Sequence, residues 1–459
     1  MKKMKRMVFF VNNILFLRAH EKDKAQLFSK LSIEFEKIQY KTYHLVFNNI
    51  EKYWYKKFKR DIFQVENYIE QKKINLKEYK LYSDKELNEM IKFEKEKYKE
   101  KNLDKLKNIT KYFLEFLNII NKKIEFDIFI MWNNNFIFDR IAYFYCKKNN
   151  IKYYILEQGY FRPFTLCIDS KGVNYENSLP REKEYYLKKN INKNKLKEFL
   201  LKHLFAYKKD VKINYNSLYE YIIKKYDQIS LIWKKNKNFY DIEQNPFSLR
   251  NFGKKINSFI KKMNFKNKDI DLPDRYIFVP FQVEDDSQIL FFSDKIKEMN
   301  KLVQVVCNNL NKYNNKYNDD LKVVFKTHPN GKDNIVKSEN FNNMKNCLLL
   351  KKYDTKKLIE NSIGVITINS TVGIEALANY KPVITLGKSF YNIENLVLHC
   401  NNVDDLYKYI NLIINDKINK NLINKFLYHL RFNYCKEIFW RNPDKKSIKR
   451  MVDFIDKKF

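Results

Sequence analysis

The sequence predicts an α/β protein made of two doubly wound domains. Three observations carry that expectation: short apolar runs of the kind that form buried parallel strands, helical text between them, and a length of 459 residues. A chain of that size exceeds what one core usually organises. Its 44% hydrophobic content, with 33 Tyr and 37 Phe, supplies core material for two domains and excludes disorder as a description of the whole.

The elements follow in order. A basic head at residues 1–6 precedes an apolar run at 7–11, which imitates a secretion signal, but Asn12 and Asn13 interrupt the run and no small-residue cleavage site follows. A first buried strand is the expectation there. After a second apolar segment at 14–17, Leu27, Phe28, Leu31, Phe35 and Ile38 fall at helical spacing. Residues 66–122 are Lys/Glu-rich, contain neither Gly nor Pro, and read as a long helical insertion. Runs at 125–132 and 151–157 flank helical text at 136–148, the pattern of a βαβ unit. A loop with Gly159, Pro163, Gly172 and Pro180 comes next, and residues 183–265 return to lysine-rich helical text. The segment 271–274 (DLPD) marks a boundary, so the expected domains are 1–270, 271–435 and a helical tail at 436–459. In the second domain, strands are expected at 276–283, 322–328, 347–350, 364–369 and 382–387.

Charge narrows the partners. The formal charge is +35, yet only 11 of the 89 basic residues are arginine, and the lysines are spread along the chain with abundant Asn, Ile, Tyr and Phe, as AT-rich codons produce. A nucleic-acid binder concentrates arginine and stacking aromatics in one module, so specific nucleic-acid binding is not expected. The lysine excess would hold the chain near an anionic membrane leaflet, each lysine close to the surface contributing about 1 kcal/mol. Six scattered cysteines show no ligand spacing, so neither a disulfide framework nor a zinc site is expected, and a reducing compartment fits. No segment approaches the roughly 20 apolar residues that span a bilayer.

In doubly wound sheets ligands sit beyond the carboxyl ends of the strands, and that is where the chemistry-bearing residues fall. The run Gln282-Val283-Glu284-Asp285-Asp286 places three acids just after a strand, suited to acid/base or nucleophilic work and equally to a turn that caps a helix near Ser287. Lys326-Thr327-His328-Pro329 ends another strand. Pro329 stops the ladder there and exposes His328, able to donate to a phosphate or protonate a leaving group. Asn369-Ser370-Thr371 runs into a helix containing Gly373 and Glu375, which reads as a phosphate site approached closely at Gly373, or as ordinary capping by Ser370. Earlier, Glu157, Gly159, Tyr160 and Arg162 follow a strand end, and Asn174 and Arg181 lie in the next loop; Arg162 and Arg181 would suit an acidic sugar or a lipid phosphate.

Taken together, the ordered blocks Glu157-x-Gly159-Tyr160-x-Arg162-Pro163, Gly172-Val173-Asn174, Gln282-Val283-x-Asp285-Asp286, Lys326-x-His328-Pro329 and Asn369-Ser370-Thr371-x-Gly373-x-Glu375 resemble the capsule polysaccharide β-Kdo transferases of Gram-negative bacteria. The resemblance implies a GT-B-like fold, two Rossmann-like domains facing a cleft, with long helical insertions in the first. It implies a retaining glycosyltransferase that moves Kdo from CMP-Kdo to a lipid-linked acceptor of the phosphatidylglycerol type, with no metal or other cofactor, peripheral on the inner face of the cytoplasmic membrane beside other capsule assembly proteins. Asp286 would be the nucleophile and Asp285 the alternative, with His328 catalytic at the donor phosphate. Gln282, Lys326, Pro329, Asn369, Ser370, Thr371, Gly373 and Glu375 would bind the donor, and Glu157, Gly159, Tyr160, Arg162, Asn174 and Arg181 the acceptor or sugar. The chain departs from the family at Arg18-Ala19-His20-Glu21, where a small Gly-containing loop is expected. Other readings are a transferase using another CMP-sugar or CDP-glycerol, a non-catalytic capsule assembly or export factor, and a basic nucleic-acid-binding protein.

Overall fold

The computed structural model describes residues 12–19, 21–65, 77–98, 103–202, 222, 271–329, 331, 346–415 and 417–457. The strand expected at 7–11, His20, and the helical text expected at 66–76, 203–221 and 223–265 lie outside these. The chain divides into two compact units: among the described residues, 12–173 and 436–457 form the first, and 174–202 and 271–435 the second.

The first unit is built on a seven-stranded sheet in the order β13-β6-β5-β4-β1-β2-β3. β1 (Asn13–Phe16), β2 (Lys41–Val46), β3 (Ile62–Gln64), β4 (Ile128–Trp132) and β5 (Lys152–Gln158) run parallel, whereas β6 (Thr165–Asp169) and β13 (Lys436–Glu437) join antiparallel at one edge. Successive strand residues point to opposite faces, and the sequence makes both faces apolar. Leu15, Leu45, Phe129, Met131 and Ile155 pack on one side with helices Leu103–Ile124 and Ile137–Lys148. Ile14, Phe16, Val46, Ile128, Ile130 and Leu156 pack on the other with helices Lys22–Glu36 and Lys445–Asp456. Residues 436–457 are therefore no separate tail: Ile448, Met451, Val452 and Ile455 are part of this core.

The helical insertion expected between the third and fourth strands is present as Asp84–Met90, Lys92–Tyr98 and Leu103–Ile124. Ser83 and Glu86 form a reciprocal capping box that starts the first of these. Glu94, on the second, accepts the Ile137 N–H at 3.0 Å and so caps helix Ile137–Lys148, whose own N-cap Phe136 has no side chain to do it. Burial pushes the Glu94 carboxyl up to about 8.

The second unit holds a six-stranded parallel sheet in the order β12-β11-β10-β7-β8-β9, made of β7 (Tyr276–Pro280), β8 (Lys322–Lys326), β9 (Cys347–Leu350), β10 (Gly364–Thr367), β11 (Val383–Thr385) and β12 (Leu398–His399). Ile277, Val279, Val323, Phe325, Ile366 and Ile384 form its core with Leu302, Val306 and Leu310 of helix Met299–Tyr317. Residues 174–202, expected in the first domain, belong to this unit because Tyr186 packs on Phe426 at 5.4 Å between ring centroids. Cys307 and Cys347 are joined as a disulfide. No disulfide was expected from spacing, and helix and strand packing brings together two cysteines 40 residues apart. Two doubly wound sheets, one parallel and one parallel but for an antiparallel edge, thus realise the predicted α/β class.

His44 gives the first unit a pH signature. Its ring lies 5.0 Å from Phe16 and 4.5 Å from Tyr55, and its Nδ1 donates to the Asp61 carbonyl at 3.2 Å. Burial holds its pKa down to about 3. The unfolded chain therefore binds a proton near pH 6.5 that the folded ring refuses, so the stability this group contributes is complete above pH 6.5 and lost as pH falls toward 3. We expect His44→Phe, which keeps a ring in place, to flatten the fall in unfolding free energy between pH 6.5 and 4.5. The wild type should lose up to about 1.4 kcal/mol per pH unit relative to the variant, read by denaturant melts. Parallel profiles would refute this.

Candidate active site

In the second unit the strand order reverses between β7 and β10, which opens a crevice at their carboxyl ends. Two primary amides close its floor. Gln282, just past β7, donates from Nε2 to Asn369 Oδ1 at 2.9 Å, and its Oε1 accepts from the Asn369 N–H at 3.1 Å and from Thr367 Oγ1 at 3.3 Å. Asn369 Nδ2 in turn donates to the Gln288 carbonyl at 2.8 Å. Gln282 and Asn369 are 8% and 3% exposed, so this pairing satisfies groups that would otherwise be costly to bury. It ties together β7, the end of β10 and helix Ser287–Phe292.

That helix is started by Asp286, whose Oδ1 accepts the Gln288 N–H at 2.8 Å. Asp286 is exposed, and among the described residues its second oxygen makes no hydrogen bond. Glu284 turns inward to accept the Met299 N–H at 2.8 Å and start helix Met299–Tyr317. Asp285, half-buried between them, has no side-chain hydrogen bond among the described residues. The three acids are thereby separated into two helix-starting groups and one unengaged carboxylate.

His328 and Lys326 lie half-buried at the end of β8, beside β7, and the His328 carbonyl accepts from the Gly331 N–H at 2.9 Å in the turn that the exposed Pro329 begins. Beyond β10, Ser370 Oγ accepts the Val372 N–H at 3.2 Å, and Thr371 is the N-cap of helix Val372–Ala378 without using its side chain. Glu375 lies half-buried one turn in. The space at Gly373 is already taken. A Cβ there would sit 2.5 Å from the hydroxyl of Tyr391, which donates to the Ser370 carbonyl. The glycine thus admits a tyrosine, and the close ligand approach expected at this position has no room.

The remaining candidates divide between the units. In the first, Glu157 at the end of β5 accepts from Asn133 Nδ2 at 2.7 Å, and burial raises its pKa. A Cβ on Gly159 would meet Thr165 Oγ1, so the glycine permits the β5–β6 hairpin. Tyr160 is half-buried and Arg162 exposed in that hairpin loop. In the second unit, Asn174 adopts a left-handed φ of 57° and Tyr175 stacks near Phe292 at 5.7 Å, which sets this segment on the helix that Asp286 starts. Arg181 donates to the carbonyls of Leu179 and Tyr175 and to Asn177 Oδ1. Its guanidinium staples its own loop rather than standing open for a phosphate, because the loop presents unpaired carbonyls within its reach.

Sequence reading missed two groups. Arg18, 6% exposed, pairs with the buried Glu51 at 3.8 Å and faces Asp139, and burial lowers the Arg18 pKa while raising that of Asp139. Thr385, Asn392 and His399 form a hydrogen-bonded cluster at the ends of β11 and β12. Among the described residues no helix is long and apolar enough to cross a membrane, and no three His, Cys, Asp or Glu are grouped to hold a metal ion.

A doubly wound unit with polar groups gathered at its switch point has the architecture of the α/β folds that take ligands at the carboxyl ends of their strands. Comparison with known proteins then identifies the chain as a member of the capsule polysaccharide biosynthesis protein family, whose model matches residues 127–435. Protein FixF of Sinorhizobium fredii is 39% identical over 137 residues, covering 30% of this chain and 32% of that protein. The capsule polysaccharide export protein KpsS of Escherichia coli is 23% identical over 296 residues, covering 62% and 73%. The chain therefore spans about a third of FixF. Among solved structures, the β-Kdo 2,7 transferase KpsC of Thermosulfurimonas dismutans aligns with a TM-score of 0.36 at 17% identity over 74% of this chain and 89% of that one. The family expected from the motifs is the family found.

Alanine at Gly373 tests the packing account of that residue. In the wild type we expect Gly373→Ala to cost about 1–3 kcal/mol through the clash with Tyr391. In a Tyr391→Ala background the same change should become stabilising by up to about 1 kcal/mol, because alanine is the better helix former. A double-mutant cycle by chemical denaturation reads both, and equal effects in the two backgrounds would refute the assignment.

Proposed function

We propose that this chain is a retaining glycosyltransferase of capsule linker synthesis, transferring Kdo from CMP-Kdo to a lipid-linked acceptor. Family membership supports the reading, and the geometry of Asp286 carries it. A catalytic nucleophile needs to be held in place without being consumed, and Asp286 has one oxygen anchored on the Gln288 N–H and the other open, beside the Gln282–Asn369 pair at the switch point. In the proposed reaction the open oxygen attacks the anomeric carbon as the bond to the CMP phosphate breaks, forming a glycosyl ester. The acceptor hydroxyl then loses its proton and displaces the carboxylate, so the two inversions restore configuration.

The other roles follow from position. His328 and Lys326 at the end of β8 would face the departing phosphate, His328 as hydrogen-bond donor, and the Pro329 turn would hold it there. Ser370 and Thr371 would contact the same phosphate from the end of β10, with Glu375 toward the ribose. Glu157, Tyr160 and Arg162 remain proposed contacts for acceptor or sugar, as does Asn174, whose neighbour Tyr175 packs on the helix that Asp286 starts. The scheme uses no metal. The lysine excess supports attachment to an anionic membrane surface, where a lipid acceptor of the phosphatidylglycerol type is found.

Asp286→Asn separates chemistry from structure, because asparagine is as good an N-cap as aspartate. With CMP-Kdo and a phosphatidylglycerol analogue we expect this variant to keep the wild-type melting curve and lose at least about a thousandfold in turnover. Asp285→Asn should lose far less. A fully active Asp286→Asn would remove Asp286 from the mechanism, and wild type that forms no Kdo-lipid would remove the proposed activity.

A further inference from the structure

Histidine is scarce in this chain, six residues in 459, so its placement owes little to the compositional drift that scatters lysine and asparagine. His399 ends β12, the edge strand of the second unit, and pairs in register with Thr385 of β11. Its ring is held from one side. Asn392 Nδ2 donates to His399 Nδ1 at 3.0 Å, while the same amide donates to the Gly387 carbonyl at 3.0 Å and accepts from Thr385 Oγ1 at 2.8 Å. With the Thr385 proton committed to Asn392, the amide hydrogen is the one left for Nδ1. The imidazole proton then resides on Nε2.

Among the described residues Nε2 makes no hydrogen bond, and the residue is half-buried. Desolvation lowers the ring's pKa, a backbone contact with Thr385 opposes this and the nearby Lys388 adds to it, and the net lowering keeps the ring neutral at pH 7. The result is a fixed neutral donor at the carboxyl end of the sheet. Asn392 also belongs to the loop whose Tyr391 hydroxyl binds the Ser370 carbonyl, so the cluster is mechanically continuous with the end of β10. β12 lies two strands from β10, and at about 4.8 Å per strand the two ends are on the order of 10 Å apart. A nucleotide with its phosphate at Ser370 reaches that far with its base.

We propose that His399 is a specificity-determining residue that recognises the nucleobase of the donor, with Nε2–H donating to an acceptor atom on the base edge. Thr385 and Asn392 are its positioning residues. The assignment rests on the reading of the second unit as the donor-binding unit, and it adds a base-reading contact outside the motif blocks.

The test compares two ligands of the full chain by calorimetry, CMP and ribose 5-phosphate, which share the sugar phosphate and differ in the base. His399→Ala is expected to weaken CMP about tenfold, the value of one hydrogen bond of roughly 1.4 kcal/mol, and to leave ribose 5-phosphate unchanged. His399→Phe, which preserves ring volume, should do the same and decides the matter if the alanine variant melts early. Equal losses for both ligands would place the contact on ribose or phosphate and overturn base recognition. Unchanged CMP affinity in a folded variant would overturn the assignment alone. A wild type that binds neither ligand would overturn the donor reading of the unit and this proposal with it.

Discussion

The second unit depends on the amide pair formed by Gln282 and Asn369. Two parallel strands that diverge at a switch point leave their terminal backbone groups and side chains facing a gap, and buried polar groups in that gap must find partners. A primary amide carries two donors and an acceptor with two lone pairs. Gln282 donates to the Asn369 side-chain oxygen and accepts the Asn369 main-chain N–H, and the two amides still have capacity left for the Thr367 hydroxyl and the Gln288 carbonyl. The pair thereby does what an apolar contact would not: it sets the angle at which the acidic segment leaves β7.

With the floor set, the acids above it take distinct roles. Glu284 and Asp286 each satisfy the first free N–H groups of a helix, which divides the charge between two positive helix ends instead of leaving it to repel within one turn. The capping and catalytic readings of Asp286, alternatives when only the sequence is considered, are compatible in the structure. A cap bond takes one oxygen and orients the other.

Much of the fold was legible in the sequence, and the exceptions share a cause. Central strands buried on both faces announce themselves as apolar runs, and β4, β5, β7, β8, β10 and β11 all fall where such runs occur; β9, at an edge, is apolar enough to show as well. The other edge strands do not: β3, β12 and β13 are two or three residues long and carry no pattern of their own. β6 was read as loop because its pairing with β5 depends on Gly159 meeting Thr165. At the site, strand-end residues such as Gln282, His328 and Asn369 were found from position alone. The meaning of Gly373 was not, because it is set by Tyr391 from another loop, and Arg181 spends its hydrogen bonds on carbonyls that become neighbours only after folding.

The return of the chain to its first unit has a consequence for how the protein is made. β1 leaves the ribosome early, but the face of helix Lys22–Glu36 that Ile448, Met451, Val452 and Ile455 cover stays bare until the whole second unit has been synthesised. The domain begun first is thus the domain finished last. During translation its apolar flank is open to chaperones or to neighbouring chains, and a break near residue 440 would damage the first unit rather than the second.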